Sequence, residues 1–238
     1  LTGPGADYLR RRFDATAPIE IDVRTLHALP QAGCARLEVT TRQRDVLDAV
    51  AGLGPLHTLV ITGHGAETVE TELRAPRLTF VRQEPQLGTG HAVQQVVPHL
   101  ATEGTTLILN GDVPLIRPTT AAALAAASGG TRLALLTIEL ADATGYGRIV
   151  RGGDSGDAVT AIVEHKDANP AQRAIREVYT GMLAAPTGWL KRAVMALKND
   201  NAQREYYLTD IVAMAVADGV PVVATRAASE TEVLGVNS

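Results

Sequence analysis

Cysteine is nearly absent: Cys34 is the only one in 238 residues. An internal disulfide is excluded, and a reducing, cytoplasmic setting is the expectation. Net positive charge is missing as well. Lys and Arg number 22 against 26 Asp and Glu, a net charge of −4, with a pI of about 5.9. Nucleic acid and anionic membrane surfaces are therefore not expected partners. No apolar run reaches the roughly 20 residues of a bilayer span. The opening Leu1-Thr2-Gly3-Pro4-Gly5-Ala6-Asp7 lacks the charged segment and apolar core of a secretory leader. No internal repeat is visible. What remains is a chain 45% hydrophobic and 20% charged. That suffices for one sizeable core, and residues 1–238 are read as a single α/β domain.

The pattern is regular from Asp45 onward. Val46-Leu47 and Val50-Ala51-Leu53 keep helical spacing. Short apolar runs at Leu56–Thr62, Leu78–Gln83, 106–110, Leu133–Glu139, Val159–Glu164, Val178–Ala184 and Val220–Thr225 read as strands. Helices are expected at Ala66–Leu73, His91–His99, 119–128, Trp189–Leu197 and Thr209–Ala217. This alternation predicts an open, mostly parallel α/β sheet. Residues 132–184 carry little helix between their strands and are expected to lie over the carboxyl edge of that sheet. Upstream, Pro18–Val23 alternates like a strand. Arg10-Arg11-Arg12 reads as solvated surface, or as a helper beside a triphosphate.

Leu107-Ile108-Leu109-Asn110-Gly111-Asp112-Val113-Pro114 is the most informative stretch. Gly111 lets the chain turn and Pro114 stops further pairing. Asp112 is thereby set just past the carboxyl end of a buried strand, where open α/β sheets bind ligands. One carboxylate with a carbonyl-type neighbour suits Mg²⁺, which takes few protein ligands and keeps water or phosphate oxygens. A turn Asp capping the next segment would look the same.

Gln83 to Gly90 is a second candidate: a strand end, the turn Gly88-Thr89-Gly90, then a helix. The Gln83 amide can read a base edge as donor and acceptor, and free N–H groups at the helix start attract oxygens. The plain alternative is Thr89 as an N-cap. Gly145-Tyr146-Gly147-Arg148 would either lay backbone N–H groups on a sugar or phosphate, or simply turn between strands. Glu164-His165-Lys166-Asp167 would hold sugar hydroxyls and phosphate, or form a solvated edge. His64 and His91 read as turn or cap residues, and Tyr206-Tyr207 as packing.

Taken together, these runs resemble one family: the uridyltransferase domain of the bacterial bifunctional N-acetylglucosamine-1-phosphate uridyltransferase/glucosamine-1-phosphate acetyltransferase. The matching runs are 86–92 (Gln-Leu-Gly-Thr-Gly-His-Ala), 111–115 (Gly-Asp-Val-Pro-Leu), 144–149 (Thr-Gly-Tyr-Gly-Arg-Ile) and 163–168 (Val-Glu-His-Lys-Asp-Ala). Asn201-Ala202-Gln203, Glu205-Tyr206-Tyr207-Leu208-Thr209-Asp210 and Gly235-Val236-Asn237 complete the set. The resemblance implies a Rossmann-like nucleotidyltransferase fold with helices on both faces and a small β extension over the active-site edge. It implies the reaction of UTP with N-acetylglucosamine 1-phosphate to give UDP-N-acetylglucosamine and pyrophosphate, with Mg²⁺, for cell-wall precursors.

By that match, Gln83, Gly88, Thr89 and Gly111 would hold the nucleotide, with Gly3 in place of the family's glycine-rich loop. Asn110, Gly147, Glu164, Tyr179 and Thr180 would hold the sugar. Asp112 and Asn237 would bind Mg²⁺, and Asp112 and Arg24 would be catalytic. The family's trimerising β-helix acetyltransferase half has no counterpart here.

The chain also departs from the pattern. Leu1–Asp45 lacks the family's Gly-x-Gly-x-Arg loop, and Arg24 stands near where a phosphate-binding Lys falls. Asn110 replaces a Tyr, Tyr179 replaces an Asn, and Arg204 replaces a Gly. Two other readings follow: a non-catalytic nucleotide-sugar binding module, and a nucleotidyltransferase with altered sugar or base choice.

Overall fold

The computed structural model describes residues 21–28, 35–41, 44–63, 65–73, 78–153 and 156–235. Gly3 and Asn237 lie outside the described residues, as does the Arg24 side chain. Ile21–Ala28 (β1) and Ala35–Thr41 (β2) pair antiparallel, with Arg24 opposite Glu38. The strand expected at Pro18–Val23 thus runs five residues further.

Arg44–Ala51 forms α1. Thr58–Thr62 (β3), Ala66–Glu72 (α2) and Leu78–Arg82 (β4) form a crossover unit whose two strands are parallel. Helix α3, Thr89–Val96, starts two residues before the expected His91 and tightens into a 3₁₀ turn at Val97–His99. Pro98 explains the change, since it has no N–H for an i→i−4 bond. Thr105–Ile108 (β5) leads through the Asn110–Pro114 turn to Pro118–Ser128 (α4). Pro118 suits a first helical turn, and Gly129 closes the helix in the left-handed region at φ 51°.

The second half adds Leu133–Glu139 (β6), Arg148–Gly152 (β7), Ala158–Val163 (β8), the short helix Pro170–Arg173 (α5) and Glu177–Pro186 (β9). Thr187–Met195 (α6), a 3₁₀ turn at Leu208–Asp210, Ile211–Ala217 (α7), Val222–Arg226 (β10) and Glu230–Val233 (α8) follow.

The largest sheet runs β10-β6-β9-β7-β8, with β5 paired along the other end of β9. Strands β5, β6 and β10 share one direction and β9 runs against β5 and β6. Residues 132–184 are therefore not all an extension. Strands β6 and β9 are the middle of the sheet, because Leu133–Leu136 and, Gly181 apart, Val178–Ala185 are buried on both faces. Only the β7–β8 hairpin and its approach lie outside that centre. On one face, Leu133, Leu135, Tyr179 and Leu183 pack with Val93, Trp189, Leu190 and Ile211 from α3, α6 and α7. On the other, Leu136, Val178 and Met182 pack with Val46, Ala49 and Leu124 from α1 and α4.

One irregularity in this centre matters for function. Leu135 pairs with Leu183 and Thr137 with Tyr179, so Leu136 alone faces Thr180, Gly181 and Met182. Such bulges re-aim side chains and cluster beside active sites.

Candidate functional site

The turn after β5 and the bulge in β9 meet at a cleft of about 290 Å³, lined among others by Asn110, Asp112, Thr180 and Tyr146. Gly235, two residues before Asn237, lines the same cleft. The Asn110 amide donates from Nδ2 to the Thr180 carbonyl at 3.2 Å, and the Thr180 hydroxyl donates to the Leu136 carbonyl at 2.9 Å. Three sequence candidates, Asp112, Asn110 and Thr180, are thus brought together. Tyr179 is one residue along β9 and points to the opposite face, into the core. Its hydroxyl is buried without a hydrogen-bond partner, and burial first, then the nearby Glu164, pushes the phenol up.

Gly147 and Glu164 form a second group. A Cβ on Gly147 would stand 3.6 Å from Glu164 Oε2, so the missing side chain leaves that carboxylate open. The Gly147 carbonyl accepts from the Tyr179 N–H at 2.9 Å. Thr209 donates to Glu164 Oε1 at 2.9 Å. Burial pushes the Glu164 carboxyl up, opposed by the Thr209 bond. Arg148, 2% exposed, sits beneath this loop. It donates to the Tyr146 carbonyl and from Nη2 toward His165 Nδ1 at 3.3 Å, fixing the approach to β7.

The third group surrounds Gln83. Its Nε2 donates to the Gly88 carbonyl at 2.9 Å and lies 3.1 Å from His91 Nδ1. Thr89 is not an N-cap: Gly88 holds that position, and the Thr89 hydroxyl accepts from the Leu208 N–H at 3.2 Å. The glycines are explained by packing. A Cβ on Gly88 would come 2.8 Å from the Tyr206 carbonyl, and one on Gly90 2.7 Å from it. Residues 205–209 therefore lie directly against the glycine turn and reach on to Glu164, joining the second and third groups.

One member of this frame was read otherwise from the sequence. His91 is neither turn nor cap but touches Gln83, and its ring stacks on Tyr206 at 6.0 Å. Tyr207 is buried, and its hydroxyl donates to Asp167 Oδ2 at 3.2 Å. Lys166 is exposed and donates to Gln203. No regular spacing signals these contacts: Gln83 and His91 meet across a turn eight residues apart, and the others join residues 37 or more apart.

Residues 23–204 match the model of the MobA-like NTP transferase domain. The chain belongs to this family. This nucleotidyltransferase domain is 65% identical over 220 residues to the bifunctional protein GlmU of Methylibium petroleiphilum, covering 90% of this chain and 46% of that protein. It is 60% identical to the bifunctional protein GlmU of Paracidovorax citrulli over 197 residues, 81% of this chain and 41% of that one. The chain thus spans less than half the length of these relatives. UDP-glucose pyrophosphorylase in complex with UDP-glucose shares the fold, with a TM-score of 0.64 at 15% identity over 78% of each chain. A nucleotidyl transferase from Methanothermobacter thermautotroptrophicus has a TM-score of 0.54 at 20% identity, over 88% of this chain and 77% of that one.

In the nucleotidyltransferase domain the donor set of the cleft also bears on a metal. No group of three or more His, Cys, Asp or Glu residues able to hold a metal ion occurs among the described residues. A protein cage is therefore not offered there. Asp112 with amide and hydroxyl neighbours fits an ion that completes its shell with water and phosphate oxygens, as Mg²⁺ does. No described helix is long and apolar enough to cross a membrane.

Proposed function

We propose that this chain transfers the uridylyl group of UTP to N-acetylglucosamine 1-phosphate, giving UDP-N-acetylglucosamine and pyrophosphate in the cytoplasm. The observation that carries this reading is the shared cleft of Asp112, Asn110, Thr180 and Gly235 at the carboxyl end of β5. The choice of substrates rests on the resemblance of the sequence runs to the uridyltransferase family.

A phosphate oxygen of the sugar phosphate attacks the α-phosphorus of UTP, and the bond to the β-phosphate bridging oxygen breaks. The nucleophile is already an anion, so no general base is required. The barrier lies in bringing two anions into line, and catalysis is positioning and charge neutralisation. Asp112 and Asn237 would hold Mg²⁺, which when bound neutralises the facing phosphate oxygens. Gln83, with the backbone of Gly88 and Thr89, would seat the base. Glu164 would accept from sugar hydroxyls in the space that Gly147 leaves, and Thr180 would border the sugar. Arg24 would meet the leaving phosphates, with Gly3 and Gly111 close to the nucleotide.

The test is pyrophosphate release from UTP, N-acetylglucosamine 1-phosphate and Mg²⁺, with Asp112→Ala as control. Release that falls about 10³-fold or more in the variant supports the reading, given the weight of charge stabilisation in such transfers. No release from the parent chain, with UDP-N-acetylglucosamine still bound, would instead favour a binding module.

A further inference from the structure

The carboxamide of Gln83 has two hydrogens, and both face protein. One points to the Gly88 carbonyl at 2.9 Å and the other to His91 Nδ1 at 3.1 Å. The carbonyl demands a donor, which fixes Nε2 on the inner side and Oε1 on the outer. No described group donates to Oε1.

The His91 ring is itself held. Tyr206 stacks on it with ring centroids 6.0 Å apart, and the Tyr206 carbonyl accepts from the Gly90 N–H at 2.7 Å. His91 Nε2 lies 3.1 Å from Gln95 Nε2, and that same amide donates to the His91 carbonyl at 3.1 Å. A neutral imidazole has one lone-pair nitrogen. Gln95, one turn along the same helix, already has the His91 carbonyl. Gln83 likewise has the Gly88 carbonyl, so the two amides compete for one lone pair, and the tautomer with that lone pair on Nδ1 is the one that holds Gln83 from across the turn.

We propose that His91 is a specificity-determining positioning residue: by taking the second amide hydrogen it leaves Gln83 an acceptor only. An acceptor favours a base edge that carries a donor. Uracil has N3–H, whereas cytosine N3 is an acceptor and would oppose Oε1. With His91 removed, the Gly88 bond alone holds the amide, and a turn that presents its N–H to cytosine N3 costs one hydrogen bond instead of two. The proposal rests on the reading that Gln83 meets the base.

The experiment is equilibrium binding of UTP and of CTP to the full 238-residue chain, measured by calorimetry with Mg²⁺ present. His91→Phe keeps a ring against Tyr206 and removes the acceptor. The preference for UTP over CTP is expected to fall about tenfold, the effect of one unmatched polar contact. His91→Asn returns an oxygen near the position of Nδ1 and is expected to restore most of the preference, which a merely structural role would not do. Gln83→Leu separates the two layers of the argument. If it leaves UTP affinity unchanged, the base-contact reading falls and this proposal with it. If it weakens UTP while His91→Phe keeps the parent preference, only the role of His91 is overturned.

Discussion

The Asn110 amide occupies the space that Gly181 leaves empty. A Cβ on Gly181 would stand 2.1 Å from Asn110 Nδ2, and Gly181 has φ 88°, a conformation that side chains resist. Gly181→Ala should therefore cost about 1–3 kcal/mol from backbone strain. It should also push Asn110 off the Thr180 carbonyl and so out of the cleft. Thermal melts of Gly181→Ala with and without Asn110→Ala separate the two effects. The double variant should recover only the steric part. Equal melting of parent and Gly181→Ala would show that the bulge is not held as described.

Arg204 is the one non-glycine residue with positive φ among the described residues, at 55°. The cause is local. Asn201 Oδ1 accepts from both the Gln203 and Glu205 N–H groups at 3.2 Å, folding the chain tightly around position 204. A left-handed residue with a Cβ is strained by about 1–2 kcal/mol, partly offset because glycine has more entropy to lose on folding. Arg204→Gly should stabilise by about 0.5–1 kcal/mol, raising the melting midpoint by about 1–4 °C. Arg204→Ala retains the strain and should give no such gain.

That residue also shows what a sequence can and cannot reveal. The mismatch with the family's Gly at 204 was visible from the motif, and its meaning became physical only with the measured φ. The strands around β6 and β9 were legible because both faces are buried and their apolar runs are continuous. Their place in the middle of the sheet was not, because pairing order is set by contacts distant in sequence. Asp112 was legible as a strand-end residue, and Thr180 only through the family resemblance. His91 and Arg148 were not, since a buried polar side chain is defined by partners that no spacing rule links. Glu232 escaped for the same reason.

Glu164 carries a pH signature. Burial, its main influence, raises the carboxyl pKa in the folded chain above its unfolded value. A raised pKa means that the protonated form is favoured by folding. Its stabilising contribution is full below the unfolded value and is lost as pH rises through the folded one. At about pH 8 the buried charge is then a cost. Glu164→Gln keeps an oxygen for the Thr209 hydroxyl and removes that charge. It should melt above the parent near pH 8, with the gap closing as pH falls to about 4. If Glu164 holds sugar hydroxyls, the same variant should raise KM for the sugar phosphate more than KM for UTP. A gap that widens toward low pH would contradict the assignment.

Glu232 ties the two walls of the cleft. It is 2% exposed, and Oε1 accepts from the Arg117 N–H at 3.1 Å. Arg117 opens α4 just beyond the Asp112 turn, while Glu232 belongs to α8, which leads to Gly235. Its other oxygen, Oε2, is buried without a hydrogen-bond partner. Glu232→Ala would leave the Arg117 N–H unsatisfied and open a void, at a cost of about 2–3 kcal/mol. It would also free the C-terminal wall from the Asp112 wall, so more Mg²⁺ should be needed for half-maximal activity. Glu232→Gln keeps the acceptor for the Arg117 N–H and fills the same volume. It should melt closer to the parent than Glu232→Ala does, since the hydrogen bond survives and no void opens. Melting curves and Mg²⁺ titrations on the three chains decide the matter. An alanine variant that melts like the parent, at an unchanged Mg²⁺ requirement, would mean that the two walls are held together by something other than this carboxylate.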